Sequence, residues 1–81
     1  MEKQALIATI NEALAAEFEV ETSDISPEAN IKETLHLDSL SLVDMVALIE
    51  SIFQVKIKGA DIGRILTFET LYDFIYEQMN A

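Results

Sequence analysis

No cysteine occurs among the 81 residues, which excludes disulfides, a thiolate nucleophile and a cysteine-ligated zinc site, and removes any demand for an oxidising compartment. Bases are scarce as well: five Lys and Arg stand against fifteen Asp and Glu, for a formal net charge of −10. That balance argues against a nucleic-acid partner, because the phosphate backbone is repelled and releases no counterions on contact. Long apolar runs are missing too. Although 51% of the residues are hydrophobic, the longest unbroken run in the second helical stretch is Met45 to Ile49, far short of the roughly 20 residues that span a bilayer. Stable membrane insertion is not expected. The first residues, Met1-Glu2-Lys3-Gln4, lead into an amphipathic pattern, not into a basic region, apolar block and cleavage site. No signal peptide is expected, and the cytoplasm is the expected location.

A chain this short buries only about 60% of its unfolded surface and has material for one modest core, so a single domain over residues 1–81 is expected. Its acids are unevenly spread. Eleven acids face two bases through Glu50, whereas four face three from Ser51 onward. Such a field steers basic partners and opposes compaction by self-repulsion.

The apolar residues Leu6, Ile7, Ile10, Ala13, Leu14 and Phe18 recur every three or four positions, which predicts a first helix over Lys3 to Phe18. Glu19 to Asp38 shows no long helical period and contains Thr22-Ser23-Asp24 and Ser26-Pro27, the second pair resembling a cap followed by proline at the first helical position. This stretch reads as a long loop with at most a short turn. A connection of that length is uncommon unless anchored, and Ile25, Ile31, Leu35 and Leu37 are the expected anchors. A second helix is predicted from Ser39 or Leu40 to about Phe53, with Met45, Ile49 and Phe53 as core candidates. Val55 to Gly59, "VKIKG", alternates like a strand but has nothing to pair with, so an extended connector is expected before the glycine. Asp61 to Ile65 is a candidate short helix. Thr67 is placed to cap a last helix burying Phe68, Leu71, Tyr72 and Ile75. The predicted fold is all-α: a small four-helix bundle, three main helices plus one short, with a long loop between helices one and two.

The chemical question sits at Asp38-Ser39, directly before the second helix. Both residue types are favoured N-caps, and Ser41-Leu42-Val43-Asp44 supplies a second capping pattern, so cap chemistry is over-supplied. Ser39 is then either a spare cap or a handle. A hydroxyl in the first turn of a helix is well placed to carry a phosphodiester, because backbone N–H groups and the positive dipole end favour negative charge there. On the residues alone both readings stand.

"DSL" at Asp38-Ser39-Leu40, with the anchored loop before it, an apolar helix ending in Phe53 after it, and the threonine-led "TFETLYDFI" of Thr67 to Ile75, resembles the acyl carrier protein family over essentially the whole chain. The acidic balance agrees. The resemblance implies that Ser39 is the attachment point for 4′-phosphopantetheine, transferred from coenzyme A by a phosphopantetheinyl transferase, with Asp38 in transferase recognition. It implies a terminal thiol that carries acyl groups as thioesters, so that the sulfur absent from the chain comes from the prosthetic group. Leu40, Val43 and Ala47 correspond to partner-facing apolar positions, and Asp44 and Glu50 to acidic recognition positions. From periodicity alone Val43 and Ala47 fit the core equally well. The implied partners are acyl-transferring, condensing and reducing enzymes of fatty-acid, polyketide or related biosynthesis, with basic docking surfaces, and a monomer is expected. Departures from the family pattern are specific. His36 stands where glycine is frequent, Ser41, Ser51 and Ile52 stand at positions often acidic, and Lys56, Lys58 and Arg64 bring positive charge to a connector that is often acidic.

Other readings meet obstacles in the sequence. An enzyme using His36 and Ser39 lacks both a Gly-x-Ser-x-Gly elbow and an acid to orient the histidine, so no catalytic residue is assigned. A dedicated metal site lacks an Asp-x-Asp-x-Asp-Gly loop. A D-alanyl or nonribosomal-peptide carrier shares the same plan, and an unmodified acidic module that binds through an exposed apolar helix remains the non-carrier alternative.

Overall fold

The computed structural model describes residues 2–80, apart from the side chain of Ser39. Five α-helices follow one another: α1 (Lys3–Phe18), α2 (Ile31–Leu35), α3 (Ser39–Phe53), α4 (Gly59–Ile62) and α5 (Phe68–Asn80), with a 3-10 turn at Thr22–Asp24. There is no strand among the described residues, only a single antiparallel bridge between Asn30 and Thr67.

The helix predicted from the α1 period is found with the predicted bounds. Leu6, Ile10 and Leu14, at strict four-residue spacing, form its buried line. That line packs on α5, whose first two turns bury Phe68, Leu71, Tyr72 and Ile75 as expected. The Tyr72 hydroxyl donates to the Asn11 side chain, and Lys3 pairs with Asp73 at the rim. Thr67 and Thr70 cap α5 reciprocally: the Thr67 hydroxyl accepts from the Thr70 amide at 3.3 Å, and the Thr70 hydroxyl accepts from the Thr67 amide at 3.0 Å. Each satisfies a backbone donor that the first turn leaves without a helical partner.

The long connection after α1 holds more structure than its weak period predicts. Ile25, Ile31 and Leu35 are buried anchors and Leu37 is half-buried, but between them lies the five-residue helix α2, started by Asn30, whose side-chain oxygen accepts from the Glu33 amide at 3.1 Å. Ser26-Pro27 does not open a helix; it makes a turn in which the Ala29 amide donates to the Ser26 carbonyl. The loop is also stitched to the start of α5. The Ile31 amide donates to the Leu66 carbonyl, Phe68 to Ala29, and Glu69 to Pro27.

Helix α3 faces inward with Leu42, Met45, Val46 and Ile49, and Phe53 is only half-buried at its end. The connector 55–58 is neither helix nor strand and is extended at Lys58, and its alternation is real: Ile57 is buried between exposed Lys56 and Lys58. What holds it is a side chain. The Glu50 carboxylate accepts from the Ile57 amide at 2.8 Å. Glu50→Ala, which leaves that amide without its partner, is expected to cost about 1–2 kcal/mol, while Glu50→Gln, which keeps an acceptor oxygen, stays near wild type. Urea melts compare the two, and an alanine variant with an unchanged midpoint would contradict the tether. The short helix after it runs Gly59–Ile62, two residues earlier at its start than the predicted Asp61, so Gly59 opens the helix instead of breaking the chain. Ile65, expected inside that helix, is buried just beyond it.

Candidate functional site

Three backbone decisions deliver the chain to residue 39. Helix α2 ends at His36, which adopts the left-handed conformation (φ 56°, ψ 47°) with its amide donating to the Lys32 carbonyl. The Leu37 amide donates to the same carbonyl at 2.9 Å. Left-handed backbone favours glycine, so the resemblance's glycine at this position has a physical reason and His36 fills the same turn at some strain. Asp38 is then extended, and its side chain accepts from the Ser41 amide at 2.8 Å, while its carbonyl accepts from the Leu42 amide at 3.0 Å.

Asp38 is therefore the cap of α3, and the Ser41 amide, the donor it uses, is third in the helix. The alternative box at Ser41 and Asp44 is not where the helix starts. The hydrogen bond from the Ser41 amide, helped by the Ser41 hydroxyl, holds the Asp38 carboxyl below its ordinary value. A depressed carboxylate stabilises the helix start above the ordinary Asp range, and the contribution is lost as pH falls through the depressed value. The Ser41 amide resonance, followed by NMR against pH, is expected to titrate with a midpoint below that of an unperturbed aspartate. A midpoint at or above it would show that the cap is not formed.

Ser39 is the first residue of α3; its side chain, and with it the expected attachment hydroxyl, lies outside the described part of the structure. Its neighbours are described. Asp38 is exposed, and Leu40 is 80% exposed. Val43 is 53% exposed, and Ala47 and Asp44 are exposed as well. The choice left open by periodicity is thus resolved: Leu40, Val43 and Ala47 form an outward apolar line at three- and four-residue spacing, with Asp44 beside it. Glu50 is half-buried and commits one oxygen to Ile57, so it belongs to that surface less fully than the other four.

Beside the start of α3 a cleft of about 300 Å³ opens between α2, α3 and the α4–α5 connection. Leu42, Ile62, Ile65 and Leu66 make its apolar walls, and Asn30 and Lys32 bring polar groups to it. Sequence reasoning passed over these residues. Leu66, 58% exposed, follows no period, and Lys32 lies on a helix too short to show one. The surroundings of position 39 fit a phosphate-linked arm, because it stands at an amide-rich helix end and an apolar cleft lies beside the same helix. No group of three or more metal-ligating side chains lies together among the described residues, and no described helix is long and apolar enough to cross a membrane.

Comparison with known proteins agrees with this geometry. Residues 8–75 match the family model described as the phosphopantetheine attachment site, so 4′-phosphopantetheine, held covalently, is the cofactor. The chain is 31% identical to the acyl carrier protein of Rubrobacter xylanophilus and 32% identical to that of Syntrophobacter fumaroxidans, in each case over 100% of both chains. The solved acyl carrier protein of Enterococcus faecalis shares the fold, with a TM-score of 0.80 at 24% identity over 96% of this chain and 99% of that one. A phosphopantetheine-site match over most of the length, relatives of equal length and a common helical bundle lead to one conclusion: the chain belongs to the acyl carrier protein family.

Proposed function

We propose that the chain acts as one carrier domain, residues 1–81, that holds acyl intermediates on an arm attached at Ser39 and presents them to enzymes of fatty-acid, polyketide or related biosynthesis. When bound, 4′-phosphopantetheine supplies the thiol on which an acyl group rides as a thioester. The chain's own residues do the rest. Asp38 fixes the first turn of α3 and presents an exposed carboxylate to the transferase. Leu40, Val43 and Ala47 offer an apolar line for docking, and Asp44, with the outer part of Glu50, meets basic residues on the partner and steers the encounter. The observation that carries this reading is the 80% exposure of Leu40, a large apolar side chain next to Ser39 that the fold leaves uncovered.

The direct test is to incubate the purified protein with coenzyme A, magnesium and a broad-specificity phosphopantetheinyl transferase and to weigh it. One phosphopantetheine adduct per chain, mapped by peptide fragmentation to Ser39, is the expected result. An unchanged mass, under conditions that modify a control carrier, would remove the proposal.

A further inference from the structure

Helices α1, α2 and α3 each end on a residue in the left-handed conformation, Glu19, His36 and Gln54, and none of the three is glycine. Such backbone costs an ordinary L-residue free energy that glycine is spared. Strain of this kind, where packing does not require the side chain, points to a use for that side chain elsewhere. At His36 the protein itself supplies no use. The residue is exposed, the one ion pair among the described residues is Lys3–Asp73, and the side-chain hydrogen bonds on either side of it, Asn30 with Glu33 and Asp38 with Ser41, leave it out. Its backbone, by contrast, is fixed twice over, because the His36 and Leu37 amides both donate to the Lys32 carbonyl. The imidazole is carried on a set turn and committed to nothing.

Its position says what it meets. His36 precedes residue 39 by three positions, so their Cα atoms are at most about 11 Å apart. A protein interface of standard size covers about 800 Å² on each partner, a disc of roughly 16 Å radius, so an enzyme centred on residue 39 also covers His36. We propose that His36 is a specificity-determining residue for phosphopantetheinyl transfer, its ring hydrogen-bonding to the transferase beside the attachment point; the inference rests on the reading of Ser39 given above. Asp38 and Leu40, exposed on either side of residue 39, bring a carboxylate and an apolar group to the same surface. His36 adds what they lack, a ring N–H that donates in either protonation state. Because the turn is already set, the contact requires little ordering on binding. The Asp38 carboxylate, the nearest acid in sequence, bonds to the Ser41 amide and not to the ring, so the part played by His36 is recognition and not proton transfer.

Transfer from coenzyme A by a broad-specificity phosphopantetheinyl transferase is followed by mass, over a range of carrier concentrations, for wild type, His36→Gly, His36→Ala and Gln54→Gly, beside a thermal melt of each protein before modification. Gln54 shares the left-handed conformation but caps the far end of α3, about 22 Å along the helix from residue 39 and beyond the disc. Both glycine variants are expected to melt a few degrees above wild type, as relief of the left-handed turn requires. Only the two His36 variants are expected to lose transfer, by about three- to ten-fold in kcat/KM, the scale of one hydrogen bond. The loss should lie in KM with kcat unchanged, and should be equal in both, although only glycine relieves the turn. A wild type that gains no adduct overturns the reading of Ser39 and this inference with it. With wild type modified, His36 variants that stay within about two-fold of it, a loss carried by kcat, a loss in only one of the two, or an equal loss in Gln54→Gly overturns the role of the ring and leaves the attachment at Ser39 standing. A His36→Gly melt no higher than wild type overturns it too, by removing the strain on which it is built.

Discussion

Ser39→Ala is expected to abolish phosphopantetheinylation completely while leaving the melting curve close to wild type. The separation of these outcomes follows from the cap. The helix start depends on Asp38, whose carboxylate takes the Ser41 amide, and alanine has the highest intrinsic helix propensity at position 39. Stability should move by no more than about 0.5 kcal/mol, as for substitutions away from packed features. A thermal melt and a mass spectrum of the same sample decide the matter. An alanine variant that still gains the adduct would place the arm elsewhere, and one that unfolds would show that Ser39 holds the structure instead of a prosthetic group.

The largest expected loss of stability comes from Phe68→Ala. Phe68 is fully buried at the first position of α5, and its amide donates to the Ala29 carbonyl, so its ring and backbone join the core to the loop before α2. Truncating a buried phenylalanine costs about 3–5 kcal/mol through lost transfer energy and the cavity left behind. A domain of this size is stable by about 0.05–0.15 kcal/mol per residue, or roughly 4–12 kcal/mol in all, so the variant is expected to lose a large fraction of its stability. Leu40→Ala, at an 80% exposed position, serves as the contrast and should change stability by no more than about 0.5 kcal/mol. Urea denaturation measures both. A Phe68→Ala loss below about 1 kcal/mol would mean that this ring is not the keystone its burial makes it.

The parts of this fold that could be read from the sequence are those in which one period runs long enough to outvote local accidents. Leu6, Ile10 and Leu14 repeat over about two and a half turns, continued by Phe18, and Phe68, Leu71, Tyr72 and Ile75 over about two, so α1 and the buried face of α5 are legible. Helix α2 has only Ile31 and Leu35 on its buried side, a single i, i+4 pair, and no window registers a period that short. Its usable signal is Asn30 followed three residues later by Glu33, a start pattern that the structure uses as a cap. The ends of α1 and α3 are legible from Phe18 and Phe53, the last apolar residues of their patterns, and not from a stop residue. Left-handed termini fall at Glu19, His36 and Gln54, and neither glycine has positive φ, so the residue that usually marks a stop is absent from all three. At the site, the alternative roles of Val43 and Ala47 needed the structure, because α3 is apolar on most sides and only its packing shows that Leu42 and Val46 turn inward while Val43 and Ala47 turn out. Glu50 needed it too, since nothing local tells a carboxylate bound to the Ile57 amide from one facing a partner.

The stitching of Ala29 and Ile31 to Leu66 and Phe68 gives the strap between α1 and α3 a fixed position before any other protein arrives. Ordering a loop at the moment of association consumes part of the binding free energy, and here that ordering is already done during folding. A partner that engages Leu40 and the neighbouring strap meets a preformed surface, so its arrival rate is set by diffusion and electrostatic steering and not by a wait for the carrier to rearrange.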